Sequence, residues 1–224
     1  MLANFIFISA KRRINDMTDL SDKAHIPDPC NEVPIPFPCG DLGRRGPINE
    51  HEVKCAQQEW CLGLLEISRK YHAVPQQDYR GAARAFITKL YDFGPRGQVF
   101  FRPTLAEFPN NFRTTFDGTL EYFVGKEPEP GQPDDPNDGF AKKNLISAKF
   151  SNRLNEKTCG IQLHGTTAMA MGNVFLIERK GNKDEDIVVD KVFVYRKDDS
   201  TNHHLKLIVH MSALRNMLGE PAIE

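Results

Sequence analysis

From Asn49 onward the apolar positions fall at helical spacing. Val53, Ala56, Trp60, Leu64 and Ile67 recur every three or four residues and predict a long helix with one apolar face. Asn49 is a good N-cap, and Glu52 three residues on completes a capping box. The helix should stop between Tyr71 and Val74, ahead of Pro75. Asp78 can cap a second helix, whose buried stripe is Ala82, Ala83, Phe86, Ile87 and Leu90. Gly94, Pro95 and Gly97 make a turn into a short strand, Gln98 to Arg102. A third helix is predicted from Thr115 to Val124, with Leu120 and Phe123 inward.

The period changes after residues 126–139, a proline-rich and acidic stretch that reads as an exposed loop. Strand patterns follow at Leu145–Asn152, Cys159–His164, Ala168–Arg179, Ile187–Arg196 and Leu205–Ser212. The second and third read either as two strands or as one long strand bent at Gly165. Met169 and Met171 read as core packing. Gly181-Asn182 and Asp198 to Asn202 have hairpin chemistry, so the sheet should be largely antiparallel. Helices first and a strand meander later predict an α+β fold, with helices packed on one face of a curved sheet.

Six of the 15 prolines lie within residues 1–47, and Ile26 to Gly43 has neither a helical nor an alternating period. This divides the chain into a proline-rich arm at 1–47, a domain at 48–215 and a short tail at 216–224. Cys30 and Cys39 could pair or bind metal in the arm. Unpaired thiols are the simpler reading, because no tight CxxC pair or further ligand accompanies them.

Composition narrows the function classes. With 29 basic and 30 acidic residues the net charge is -1 and the pI is near 6.7, which gives no electrostatic case for nucleic acid or an anionic membrane. No apolar run approaches the ~20 residues of a membrane span. Leu2 to Ala10 is apolar, but its basic residues follow it rather than precede it, which argues against a cleavable signal peptide. An enzyme or a binding module remains.

Three segments are more specific. The first runs from Val99-Phe100-Phe101-Arg102-Pro103-Thr104 through Gly118-Thr119-Leu120-Glu121-Tyr122-Phe123. The second is Gly160 to Asn173, and the third is Leu207-Ile208-Val209-His210-Met211-Ser212. Together they resemble the iota-class carbonic anhydrases, a branch of the calcium/calmodulin kinase association-domain-like families. The resemblance spans roughly Ile48 to Leu214 and implies a cystatin-like, NTF2-like cone with a pocket at its open end. It implies reversible hydration of carbon dioxide to bicarbonate, without metal in some members. In those members hydroxyl side chains hold bicarbonate, and the matching hydroxyls here are Thr104, Tyr122 and Ser212. Homodimers are common among such folds. An algal plastid and a bacterial cytoplasm both fit the resemblance. The third segment departs from the family in one respect. Consecutive histidines and paired serines are usual there, and here His210-Met211-Ser212-Ala213 supplies one of each.

Carbon dioxide hydration on zinc needs about three protein ligands and an open position. Of seven histidines, only His164 and His210 fall in strands where they could share a pocket, which is short of a three-histidine site. A divalent metal such as zinc or manganese is therefore the alternative, and no cofactor is the expectation. Without metal, Thr104, Tyr122 and Ser212 would bind and orient. His210 or His164, whose ordinary pKa suits neutral pH, or a water chain, would move the proton. Each residue also has a structural reading: Thr104 as a turn cap, Tyr122 and His164 as satisfied core groups. Ser212 alternates with His210, so both project to one face, either pocket or solvent. Two other functions compete. One is a non-enzymatic association or ligand-binding module. The other is an isomerase or hydrolase with Tyr122 as oxyanion donor and Asp117 or Glu121 as its carboxylate.

Overall fold

The computed structural model describes residues 46–214 apart from 95–97, 105, 107, 110, 131, 136, 137, 156, 157 and 198–203. The arm's Cys30 and Cys39, the turn residues 95–97, the 198–202 connection and the tail lie outside the described residues.

α1 (Glu50–His72) begins at the capping box. Asn49 Oδ1 accepts the Glu52 amide at 3.0 Å, and Glu52 Oε2 accepts the Asn49 amide at 2.9 Å. Its apolar stripe is buried from Val53 through Trp60 and Leu64 to Ile67. α2 (Tyr79–Leu90) is capped by Asp78 and α3 (Phe116–Val124) by Thr115. The strands are β1 (Phe100–Arg102), β2 (Leu145–Ser151), β3 (Arg153–Asn155), β4 (Thr158–Cys159), β5 (Ile161–His164), β6 (Thr167–Lys180), β7 (Lys183–Lys197) and β8 (Leu205–Leu214). The main sheet runs β1-β8-β7-β6-β2, with β5 also on β6, and among the described strand pairings β1–β8 is the parallel one. The helices cover one face of this sheet, as the α+β pattern predicts.

Of the two readings at Gly165, that of two separate strands holds, joined by a hairpin. His164 pairs with Thr167, and Gly165 takes φ 61°, a conformation that costs little without a Cβ. Met169 and Met171 are not core. In β6 the even positions Ala168, Ala170, Val174 and Leu176 face the helices, so strict alternation turns both methionines outward, 36% and 44% exposed. The proline-rich loop is mostly exposed, yet Asp134 anchors it by accepting from Tyr79, Arg80 and the buried Lys142.

β7 and β8 supply the inner wall. Val189, Lys191, Phe193 and Tyr195 alternate inward on β7. β8 carries a bulge, since Val194 pairs with Val209 and Tyr195 with Leu207, leaving Ile208 extra. Leu205 and Leu207 before the bulge and His210 and Ser212 after it therefore all face the helices. Without the bulge, His210 and Ser212 would point the other way.

Candidate active site

β8 lies between β1 and β7, and this places His210 opposite Phe101 on one side and Phe193 on the other. The Phe101 ring stacks on the imidazole with centroids 4.2 Å apart, and Phe193 meets it edge-on at 4.7 Å. In the next inward row Ser212 stands opposite Lys191. All three polar side chains are buried, His210 completely and the other two at 4% exposure. They form a closed triangle. Lys191 Nζ is 2.9 Å from His210 Nε2 and 2.7 Å from Ser212 Oγ, and Ser212 Oγ is 2.9 Å from His210 Nε2.

The other imidazole nitrogen continues the chain. Tyr91 Oη lies 2.9 Å from His210 Nδ1 and accepts the Trp60 indole N–H at 3.0 Å. Lys191 Nζ also sits 4.8 Å from the centre of the Trp60 ring, within cation–π range. Burial dominates the electrostatics here. It lowers Lys191 from its ordinary value to about 7, partly offset by the Cys61 thiol. Burial, then the Lys191 charge, holds His210 well below the usual histidine range. Burial pushes the Cys61 thiol up to about 12 and raises the Tyr91 phenol, so both stay protonated at neutral pH.

Thr104 and Tyr122 form a second group. Tyr122, on α3, has its phenol raised by burial, with the Thr104 hydroxyl and backbone and then Arg113 pulling the other way. It is therefore a hydrogen-bond donor at neutral pH. The Thr104–Tyr122 approach falls short of a directed hydrogen bond, because buried Thr104 Oγ1 has no partner in the protein. An unpaired buried hydroxyl calls for a ligand or a water. Phe101 joins the two groups: its ring meets Tyr122 edge-on at 5.2 Å and stacks on His210. The β1–β8 register pairs Arg102 with Met211, and Arg102 Nη1 donates to the Ser212 carbonyl at 2.8 Å, which ties the end of β1 to Ser212. Beyond Tyr122 opens a cleft of about 480 Å³, lined also by Arg113, Glu121, Phe140 and Lys142.

Of the residues singled out in the sequence, Thr104 and Tyr122 are thus neighbours, and Ser212 and His210 are neighbours. His164 is not brought to either pair. It is exposed at the β5–β6 hairpin, whose register row runs through Thr167 and Arg196, whereas His210 shares a row with Phe193 and Ala170. Lys191, Tyr91 and the indole N–H of Trp60 were not singled out. For Lys191 the signal existed, since it holds the inward phase of Val189, Phe193 and Tyr195. The departure in the third segment also acquires a meaning. Met211 and Ala213 point outward, so the missing histidine and serine belong to the far face of the sheet, and the inward pair is complete.

The donor set is a poor match for a metal. An ammonium or amine nitrogen already faces His210 Nε2, and no group of three or more histidines, cysteines or carboxylates converges among the described residues.

The comparisons with known proteins agree with this chemistry. Residues 51–214 match the family described as Metal-independent carbonic anhydrase. A Metal-independent carbonic anhydrase from Nostoc sp. is 36% identical over 169 residues, covering 75% of this chain and 74% of that protein. The crystal structure of an iota-carbonic anhydrase from a cyanobacterium complexed with bicarbonate is 34% identical and covers 77% of this chain and 95% of that one, with a TM-score of 0.63. A calcium/calmodulin dependent protein kinase II association domain from Xanthomonas campestris is 15% identical over 76% of this chain and 91% of that one, with a TM-score of 0.47. From the two more similar relatives and the match over most of its length, the chain belongs to the metal-independent carbonic anhydrase family.

Proposed function

We propose that Thr104, Tyr122 and Ser212 form the centre at which this chain reversibly hydrates carbon dioxide to bicarbonate, as a carbonic anhydrase working without metal. The observation that carries the reading is the unpaired buried hydroxyl of Thr104 beside the Tyr122 phenol, linked through Phe101 to the Ser212–His210 pair. Hydration must orient a water against the substrate carbon and stabilise charge growing on the substrate oxygens. Hydroxyl dipoles fixed in a dry site can do the second task, each good donor being worth about 2.7–4 kcal/mol. Holding water and carbon dioxide in attack geometry can contribute more, up to about 7–11 kcal/mol. His210 is locked on both ring nitrogens and serves to orient Ser212. The cleft beside Tyr122 is the approach for substrate. Stopped-flow hydration assays on Tyr122→Phe, Thr104→Val and Ser212→Ala test the assignment. Near-wild-type rates in all three folded variants would leave the binding-module reading in its place.

The chain also has a surface suited to a homodimer. Outward on the sheet, Phe100, Val209, Val194 and Met169 form one cross-strand row, and Met211, Val192 and Met171 form the next. Phe100, Met171 and Met211 are 56%, 44% and 46% exposed, so large apolar side chains stand bare on adjoining rows of one face. Light scattering on the wild type and on Met171→Glu tests this: a dimer that becomes a monomer supports it, and a monomeric wild type refutes it.

A further inference from the structure

We infer that Lys191 accepts the proton released in hydration, receiving it through the Ser212 hydroxyl. This rests on the hydroxyl site proposed above and assigns the one role left open there.

The hydrogen bonds themselves favour an uncharged lysine. Trp60 can only donate, so its N–H fixes the Tyr91 oxygen as acceptor and leaves the Tyr91 proton to be given to His210 Nδ1. The imidazole proton is then on Nε2, facing Ser212 and Lys191. An ammonium at Lys191 would point a proton at that same nitrogen. A neutral amine instead offers a lone pair, and the triangle closes without conflict: Nε2–H to Ser212 Oγ, and Ser212 O–H to Lys191 Nζ. Ser212 Oγ keeps one lone pair for an incoming water. A charged Lys191 requires the other imidazole tautomer, which leaves the Tyr91 proton without its acceptor.

The surroundings agree. From α1, Lys191 faces the protonated Cys61 thiol and the Trp60 ring. From β8 it faces His210 and Ser212, with Tyr91 behind His210. Gly172 pairs with it from β6 and brings no side chain. Among the described residues no carboxylate pairs with it, whereas the other buried lysines, Lys142 and Lys197, each hold one. A buried amine with no counter-charge is driven toward neutrality at pH 7, where it is a base of matched strength.

The step balances. Water oxygen bonds to the carbon of carbon dioxide, and one carbon–oxygen π pair moves onto oxygen. A water proton passes to Ser212 Oγ as the Ser212 proton passes to Lys191 Nζ. The products are bicarbonate and the Lys191 ammonium, which returns its proton to solvent buffer.

The test is the pH profile of kcat/KM for hydration in wild type, Lys191→Met and Lys191→Ala. In wild type the rate should rise with pH through an inflection near 7, because the neutral amine is the active form. Lys191→Met should lose about a hundredfold and lose that inflection. Ethylamine should restore Lys191→Ala in proportion to its concentration, which sodium chloride at equal ionic strength should not do. Should either variant fail to fold, NMR of wild type carrying 13C-labelled lysine decides: one lysine signal should titrate between about pH 6 and 8. A wild-type inflection retained in Lys191→Met, or no lysine titrating in that window, overturns the assignment while leaving the hydroxyl site intact. A wild type that does not hydrate carbon dioxide overturns both.

Discussion

The Tyr91 hydroxyl lies 2.9 Å from His210 Nδ1 while accepting the Trp60 indole N–H at 3.0 Å, so an imidazole in the middle of the sheet is tied to the first helix. Tyr91→Phe keeps the ring packing against Phe86, Phe123 and Phe101 but strands two buried polar groups. It should cost about 1–3 kcal/mol of stability, read as a lowered midpoint in urea unfolding with the slope unchanged.

Glu52 performs two tasks at the start of α1. One oxygen caps the helix and the other meets Lys197 Nζ at 2.7 Å, with both side chains only 6% exposed. Glu52→Gln should strand the lysine charge and cost about 3–5 kcal/mol. Adding Lys197→Met to it should recover much of that loss, because the stranded charge is then removed. Thermal unfolding of the single and double variants checks this, and a double variant no more stable than the single would contradict it.

Burial of Lys191 makes stability depend on pH. Its folded pKa, about 7, is depressed below the ordinary lysine value of 10.5, so above pH 7 the unfolded chain binds the extra proton. The associated stability is complete above the unfolded value and is lost as pH falls toward 7. Wild type should therefore gain up to ~1.4 kcal/mol per pH unit from this group between pH 7 and 9. In Lys191→Met that slope should shrink, as measured by urea midpoints across the same range.

The hydroxyl variants should separate function from fold. Tyr122→Phe, Thr104→Val and Ser212→Ala each remove one oxygen at nearly constant volume. Each should lose an order of magnitude or more in hydration, about 1.4 kcal/mol per tenfold. Pairs should lose less than the summed single effects if, as proposed, the three hydroxyls act as one unit. Thermal unfolding alongside the rate assay identifies any loss that is structural.

What could be read in the sequence was local or periodic. The Asn49 cap, the α1 stripe and the shared face of His210 and Ser212 follow from spacing alone. Tyr91 could not be read this way. It sits just past α2 and reaches His210 across 119 residues, by a tertiary approach that no period encodes. Lys191 carried a phase signal, but a lysine in a strand is ordinarily a solvent-facing residue, and only the buried triangle gives it another role. Met169 and Met171 were misread because hydrophobicity was weighed above alternation, although the neighbouring alanines and valine already marked the inward face. The parallel contact of β1 with β8, which sets Phe101 against His210, depends on chain order in space rather than on any residue of either strand.

Side chains alone should suffice to hydrate carbon dioxide here. Stopped-flow hydration by wild-type protein after exhaustive chelation, with metal content determined on the same sample, tests this. The rate should be unchanged with no stoichiometric zinc or manganese present, and Ser212→Ala under the same conditions should fall at least tenfold. Loss of the wild-type rate on chelation, restored by one equivalent of a divalent metal, would show that the chemistry depends on a metal.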